Sequence, residues 1–167
     1  MEAGFLITAE QIRRIARAQE LAVGVIEKDY ALSWLLRGLY MKNSEMKNSF
    51  ALKGGTALRK IYFPKAWRFS EDLDFTLISQ KDPNRIKKSI QDVLERLRLE
   101  SGINYSTESF HLTEGSIIAN VQFTGPLQFT NRIRQDITLN ERMVLKPEMR
   151  LVKSEFPDLP SFEILVY

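Results

Sequence analysis

The chain contains no cysteine, so disulfides, thiolate nucleophiles and cysteine-held zinc are excluded at once. Histidine is nearly absent too: His111 is the sole one, and a multi-histidine metal centre cannot form. Any metal must therefore be held mainly by oxygen, the donor set that suits Mg²⁺, Mn²⁺ or Ca²⁺. No apolar run is long enough to span a bilayer, so no membrane role is expected. The opening residues, MEAGFLITAEQIRR, lack the basic-then-apolar order of a secretory leader. Together with the missing cysteine, this points to a cytoplasmic protein.

What is present is an ordinary globular composition. Of the 167 residues, 44% are hydrophobic and 27% charged, enough apolar material for one domain with a sizeable core. The net charge of +3 permits a polyanionic partner such as RNA without requiring one.

Two helices are expected first. Thr8 caps one, with Gln11 completing a capping box, and Gly24 marks a break. Ile26, Tyr30, Leu32, Leu35, Leu36 and Leu39 give the second, from Val25 to Met41, a wide apolar face. A polar loop, Lys42–Ser49, precedes a short strand, Phe50–Lys53, which runs into Gly54-Gly55 and a helix from Thr56 to Phe63. Leu73–Ile78 alternates as a strand. Pro83 opens a long helix that Gly102 closes. Three strands follow over Ile103–Leu112, Ser116–Thr124 and Asn131–Leu139; Leu151–Val152 and Phe162–Val166 read as further extended segments. The order implies an α+β fold with a mixed, mostly antiparallel sheet: N-terminal helices over residues 1–48 packed on a core over 49–167.

The chemistry concentrates in the centre. Residues two apart in a strand share a face, so Asp72, Asp74 and Thr76 lie opposite Leu73, Phe75 and Leu77. The apolar set goes to the core. Two carboxylates side by side on the other face need a cation to stay ionised, and Mg²⁺ leaves coordination sites for water and phosphate oxygens. Gly54 and Gly55 let backbone N–H groups approach an anion at a helix start, where Thr56 adds a hydroxyl. On Arg132–Leu139, Ile133, Ile137 and Leu139 face inward; Arg132, Arg134, Asp136 and Thr138 face the other way. Asp136 is thus the candidate third carboxylate, as metal ligand or general base. A triphosphate held between glycine turn and metal suits nucleotidyl transfer. Singly, each piece has a plainer reading: a solvated strand face, a turn, a surface ion pair. Strand, Gly-Gly, helix and Asp-x-Asp strand within one short unit are far more specific.

The run FALKGGTALRKIYFPKAWRFSEDLDFTL resembles the signature of the AbiEii-like nucleotidyltransferase toxins, a branch of the polymerase-beta-like nucleotidyltransferase superfamily. VIEKDYALSWLL and RQDITLNE resemble flanking family segments. The resemblance implies a polymerase-beta-like core, with Lys53, Gly54, Gly55, Thr56, Arg68 and Ser70 at the nucleotide and Asp72, Asp74 and Asp136 on Mg²⁺ or Mn²⁺. It implies a nucleoside triphosphate as substrate, RNA or tRNA as acceptor, a cognate antitoxin, and a toxin–antitoxin or phage-defence setting. Sixteen residues separate Gly55 from Asp72, somewhat more than is usual in the superfamily. Family members also continue into a helical half with a lysine, an arginine and an aspartate. The present residues reach Phe162–Tyr167 where that half begins, so weak nucleotide binding is expected of them alone. Two alternatives stand beside RNA modification: transfer to a small molecule, or a non-catalytic module that binds nucleotide or a partner.

Other features have structural readings. The cations from Lys81 to Arg98 alternate with Asp82, Asp92 and Glu95, the pattern of a solvated helix face. Trp34 lies in an apolar helix and belongs to the core, while Trp67 is a candidate for a cleft edge. His111 reads as structural or exposed. Asp29 and Lys28 fall in the family-like helix without an assigned role.

Overall fold

The computed structural model describes residues 6–63, 69, 71–79 and 82–167. The N-terminal helices form where the sequence directs. In α1 (Ala9–Gln19) Thr8 accepts the Gln11 N–H and the Gln11 side chain accepts the Thr8 N–H, closing the capping box. The break before α2 (Val23–Leu39) falls earlier than Gly24. Glu20 takes the left-handed conformation at φ 55° and ends α1 by bonding to the Ala16 and Arg17 carbonyls. Gly24 sits in the first turn of α2, where glycine is tolerated and a Cβ would meet open space. Trp34 is buried in α2, as its apolar surroundings imply, and His111 is exposed.

Seven strands make one mixed sheet. These are β1 (Phe50–Lys53), β2 (Leu73–Leu77), β3 (Asn104–Leu112), β4 (Ser116–Thr124), β5 (Thr130–Thr138), β6 (Glu148–Val152) and β7 (Phe162–Val166), in the order β3-β4-β5-β2-β1-β7-β6. Two pairings are parallel, β2 with β5 and β1 with β7; the remainder are antiparallel. Between β1 and β2 the chain passes through α3 (Gly54–Ala57) and directly into a π-helical turn (Leu58–Tyr62), in place of the uniform helix expected over Thr56–Phe63. Pro83 opens α4 (Pro83–Ser101), Asp82 caps it, and Gly102, at φ 71°, stops it.

Strand alternation divides the sheet into two faces. On β4, Ile117, Ala119, Val121 and Phe123 are buried while their neighbours stay partly exposed. Ile117, Val121 and Phe123 join Ile12, Leu32, Leu35 and Leu36 of the N-terminal helices and Ile90, Leu94 and Leu97 of α4 in one continuous core. The helices thus cover one sheet face. The other face carries Asp74 of β2 and Arg132, Arg134 and Asp136 of β5, whereas Gln135 of β5 is buried on the covered side, opposite Leu73.

Candidate active site

The pairing of β2 with β5 sets the geometry. Their parallel register places Asp74 directly opposite Asp136, with Leu73 opposite Gln135 and Phe75 opposite Ile137. Leu73, Phe75, Ile133 and Ile137 are fully buried, so both carboxylates project from the opposite, open face. On the other side of β2, antiparallel β1 sets Lys53 opposite Asp74. Lys53, Asp74 and Asp136 therefore form one row across three strands.

Directly after β1 the backbone turns over this row. Gly54 adopts φ +75°, and a Cβ there would stand 2.9 Å from Asp74 Oδ2. Only glycine accepts both the left-handed backbone and the contact. Gly54→Ala should destabilise the fold by about 1–3 kcal/mol through backbone strain, and displace the Asp74 carboxyl as well. Urea unfolding together with nucleotide binding checks this: the variant should lose both. Wild-type values of both would show that the close approach is unnecessary.

Thr56 behaves differently from the free phosphate-facing hydroxyl expected of it. It is buried and donates to the backbone carbonyl of Asp72, tying the helix start to the residue that leads into β2. Asp72 itself precedes β2 and is exposed. Burial first, and then the charges of Asp136 and Asp72, push the Asp74 carboxyl above its ordinary range; Lys53 and Arg134 pull the other way. Arg134 approaches Asp136 at 3.5 Å. Three acidic side chains already arranged as a closed metal-binding group do not occur among the described residues. The Asp74–Asp136 pair still fits a divalent cation, because Mg²⁺ is commonly held by one or two carboxylates plus substrate phosphates and water.

Lys53 is engaged. Its ammonium donates to Glu141 at 2.5 Å and to Thr138 at 3.1 Å. Thr76 donates to the same Glu141 carboxylate, and the two donors, Lys53 first, hold that carboxyl below its usual range. Glu141 closes the row of site side chains. It was missed as a site residue although it ends the run RQDITLNE; it lies beyond β5, where strand alternation no longer assigns a face. Arg68, Ser70 and Trp67, singled out in the sequence, lie outside the described residues.

A mixed sheet that opposes two aspartates across parallel strands, under a glycine turn leading from the preceding strand into a helix, defines a nucleotidyltransferase core. The chain belongs to the AbiEii nucleotidyltransferase toxin family of type IV toxin–antitoxin systems, whose model matches residues 34–167. Among solved structures it is similar in fold to MenT4, a nucleotidyltransferase toxin from Mycobacterium tuberculosis H37Rv, with a TM-score of 0.64 and 22% identity. The match covers 96% of this chain and 54% of that one, so the chain spans about half the length of the neighbour. A search of curated proteins by sequence gives no match. No helix among the described residues is long and apolar enough to cross a membrane.

Proposed function

We propose that this protein transfers a nucleotide from a nucleoside triphosphate to RNA, with tRNA as the favoured acceptor, as the toxin of a toxin–antitoxin or phage-defence pair acting in the cytoplasm. The observation that carries the reading is the register of Asp74 with Asp136 beneath the Gly54 turn. Asp74 and Asp136 would hold Mg²⁺ or Mn²⁺, with Asp72 close enough to add its charge. Bound there, the cation supplies Lewis-acid stabilisation of phosphoryl oxygens.

The remaining work falls to the chain's own groups. Backbone N–H groups at Gly54 and Gly55 orient the triphosphate, and Lys53 adds positive charge beside them, as Arg68 would, while Ser70 would offer a hydroxyl donor. If Asp136 does not ligate the metal, its alternative role is general base for the acceptor hydroxyl's proton. Arg132 and Arg134, exposed on the Asp136 side of β5, favour an anionic acceptor over a cationic small molecule. A cognate antitoxin is the partner that the family context supplies.

Incubation with labelled nucleoside triphosphates and total RNA tests the reading. Label should enter RNA in the presence of Mg²⁺ or Mn²⁺ and fall to background when EDTA removes the metal. Incorporation indifferent to EDTA would defeat the metal assignment. Failure to retain any nucleotide with metal present would defeat the reading as a whole.

A further inference from the structure

Behind the glycine turn lies a second set of charges that the transfer chemistry does not use. Lys60 Nζ stands 2.8 Å from Asp29 Oδ1 and donates to Ser33 Oγ at 2.9 Å, with side chains only 3% and 1% exposed for Lys60 and Asp29. Neither Asp29 oxygen has a hydrogen-bond partner among the described residues, so the Lys60 contact to Oδ1 is an ion pair without hydrogen-bond geometry. Beside them Arg59 grips Glu155 through two hydrogen bonds, 2.6 and 2.9 Å, and its guanidinium lies 4.5 Å over the Phe69 ring. Glu155 also reaches to 4.0 Å from Lys60. Four parts of the chain meet here: α2, the π turn, the β6–β7 connection and the residue that leads toward Asp72.

This arrangement is a poor device for stability. Removing two ions from water costs about as much as their attraction returns, and an apolar pair of the same shape commonly serves the fold equally well. It is a good device for fixing a geometry. The π turn carries two adjacent cations, Arg59 and Lys60, both buried. Such turns recur at functional sites and persist where their surroundings over-determine them. The turn is continuous with Gly54–Ala57, and Thr56 of that segment is bonded to the Asp72 carbonyl. What holds Lys60 therefore holds the glycine turn over Asp74.

We propose that the buried Lys60–Asp29 pair is the positioning device of this active site, fixing the π turn and, through it, the Gly54 turn and the Thr56–Asp72 contact. The role rests on the nucleotidyl-transfer reading, since the geometry it fixes is the one that reading uses. Lys60 and Asp29 touch neither substrate nor metal in this role.

The test is the apolar pair Asp29→Leu with Lys60→Met in the same chain, beside the neutral polar pair Asp29→Asn with Lys60→Gln. Thermal unfolding, amide hydrogen exchange over residues 54–62 and affinity for ATP with Mg²⁺ are measured on each. The apolar pair should keep or raise the melting temperature, yet exchange at residues 54–62 at least tenfold faster and bind Mg²⁺–ATP at least tenfold more weakly. The polar pair should recover part of both losses, because its two amides keep a polar contact at the same place. A folded apolar pair with wild-type exchange would overturn the proposal, as would collapse of both variants, which assigns the charges to the fold itself. If the wild type binds no ATP, the transfer reading falls while the exchange comparison still decides the positioning role.

Discussion

Asp74→Asn will remove Mg²⁺-dependent nucleotide binding and make the metal-free protein more stable at neutral pH. Both effects come from one carboxylate. In the folded chain Asp74 is pressed by burial and by the charges of Asp136 and Asp72, which raise its pKa. A carboxyl with a raised folded-state pKa binds its proton more tightly folded than unfolded. Its ionisation therefore costs stability as pH climbs from the ordinary carboxylate range through the raised value, and the cost is fully present above that value. At neutral pH the asparagine amide escapes that cost, so the melting temperature should rise. At pH well below the carboxylate range wild type and variant should converge, because both are then neutral at this position.

The catalytic side runs the other way. Asp74 is the central member of the row, flanked by Lys53 and Asp136. Loss of its charge removes half of the paired carboxylates that fit a divalent cation. Transfer should fall by about 10²–10³-fold or more, the scale on which losing one preorganised electrostatic group acts. Calorimetry with Mg²⁺ and nucleotide, set beside melting curves at several pH values, reads both effects. Unchanged Mg²⁺ binding in a folded Asp74→Asn protein would take the metal away from this strand.

Lys60→Met alone should be the most destabilising single change among the residues discussed, by about 3–5 kcal/mol, because it leaves the Asp29 carboxylate buried without its counter-ion. Asp29 is 1% exposed, and neither of its oxygens has a hydrogen-bond partner among the described residues. Burial raises its pKa, and Lys60 is the largest influence pulling it down. Without Lys60 the pKa rises further, so the deficit should be greatest at neutral pH and shrink as acid protonates Asp29 in the folded state. Urea unfolding at pH 5 and pH 7 measures that slope. Adding Asp29→Leu to Lys60→Met should restore the lost stability to the wild-type level or above, since the buried pair is then apolar. A single variant as stable as wild type would mean that water reaches Asp29 and the pair is not truly buried.

Much of this molecule is decided by rules that act within a few residues of sequence. The Thr8–Gln11 box, the Asp82 and Pro83 start and Gly102 stop of α4, and the alternation of β2 and β5 are all local, and the structure contains each of them. The same alternation gave Asp74 and Asp136 their faces. Where local signals compete, the reading slips: Gly24 suggested a break, but Glu20 ended α1 by adopting the left-handed turn itself. The π turn after Ala57 leaves no local signature either; its Arg59 and Lys60 are buried against Glu155 and Asp29, residues far away in the chain.

By itself the sequence determined the fold class, the strand that carries Asp74, the glycine turn and the family, whereas Asp72 falls just before that strand. Only the tertiary structure decided who stands beside whom. The parallel pairing of β2 with β5 seats Asp136 opposite Asp74, although three other elements separate them along the chain. Glu141 meets Lys53 and Thr76 because the chain beyond β5 folds back over β2. Thr56 spends its hydroxyl on the Asp72 carbonyl, and Asp29 finds Lys60, by the same kind of distant encounter. The physical reason is one of range: propensity, capping and alternation fix where a side chain points on its own element, whereas its partners follow from sheet register and helix packing, which minimise exposed apolar surface over the whole chain.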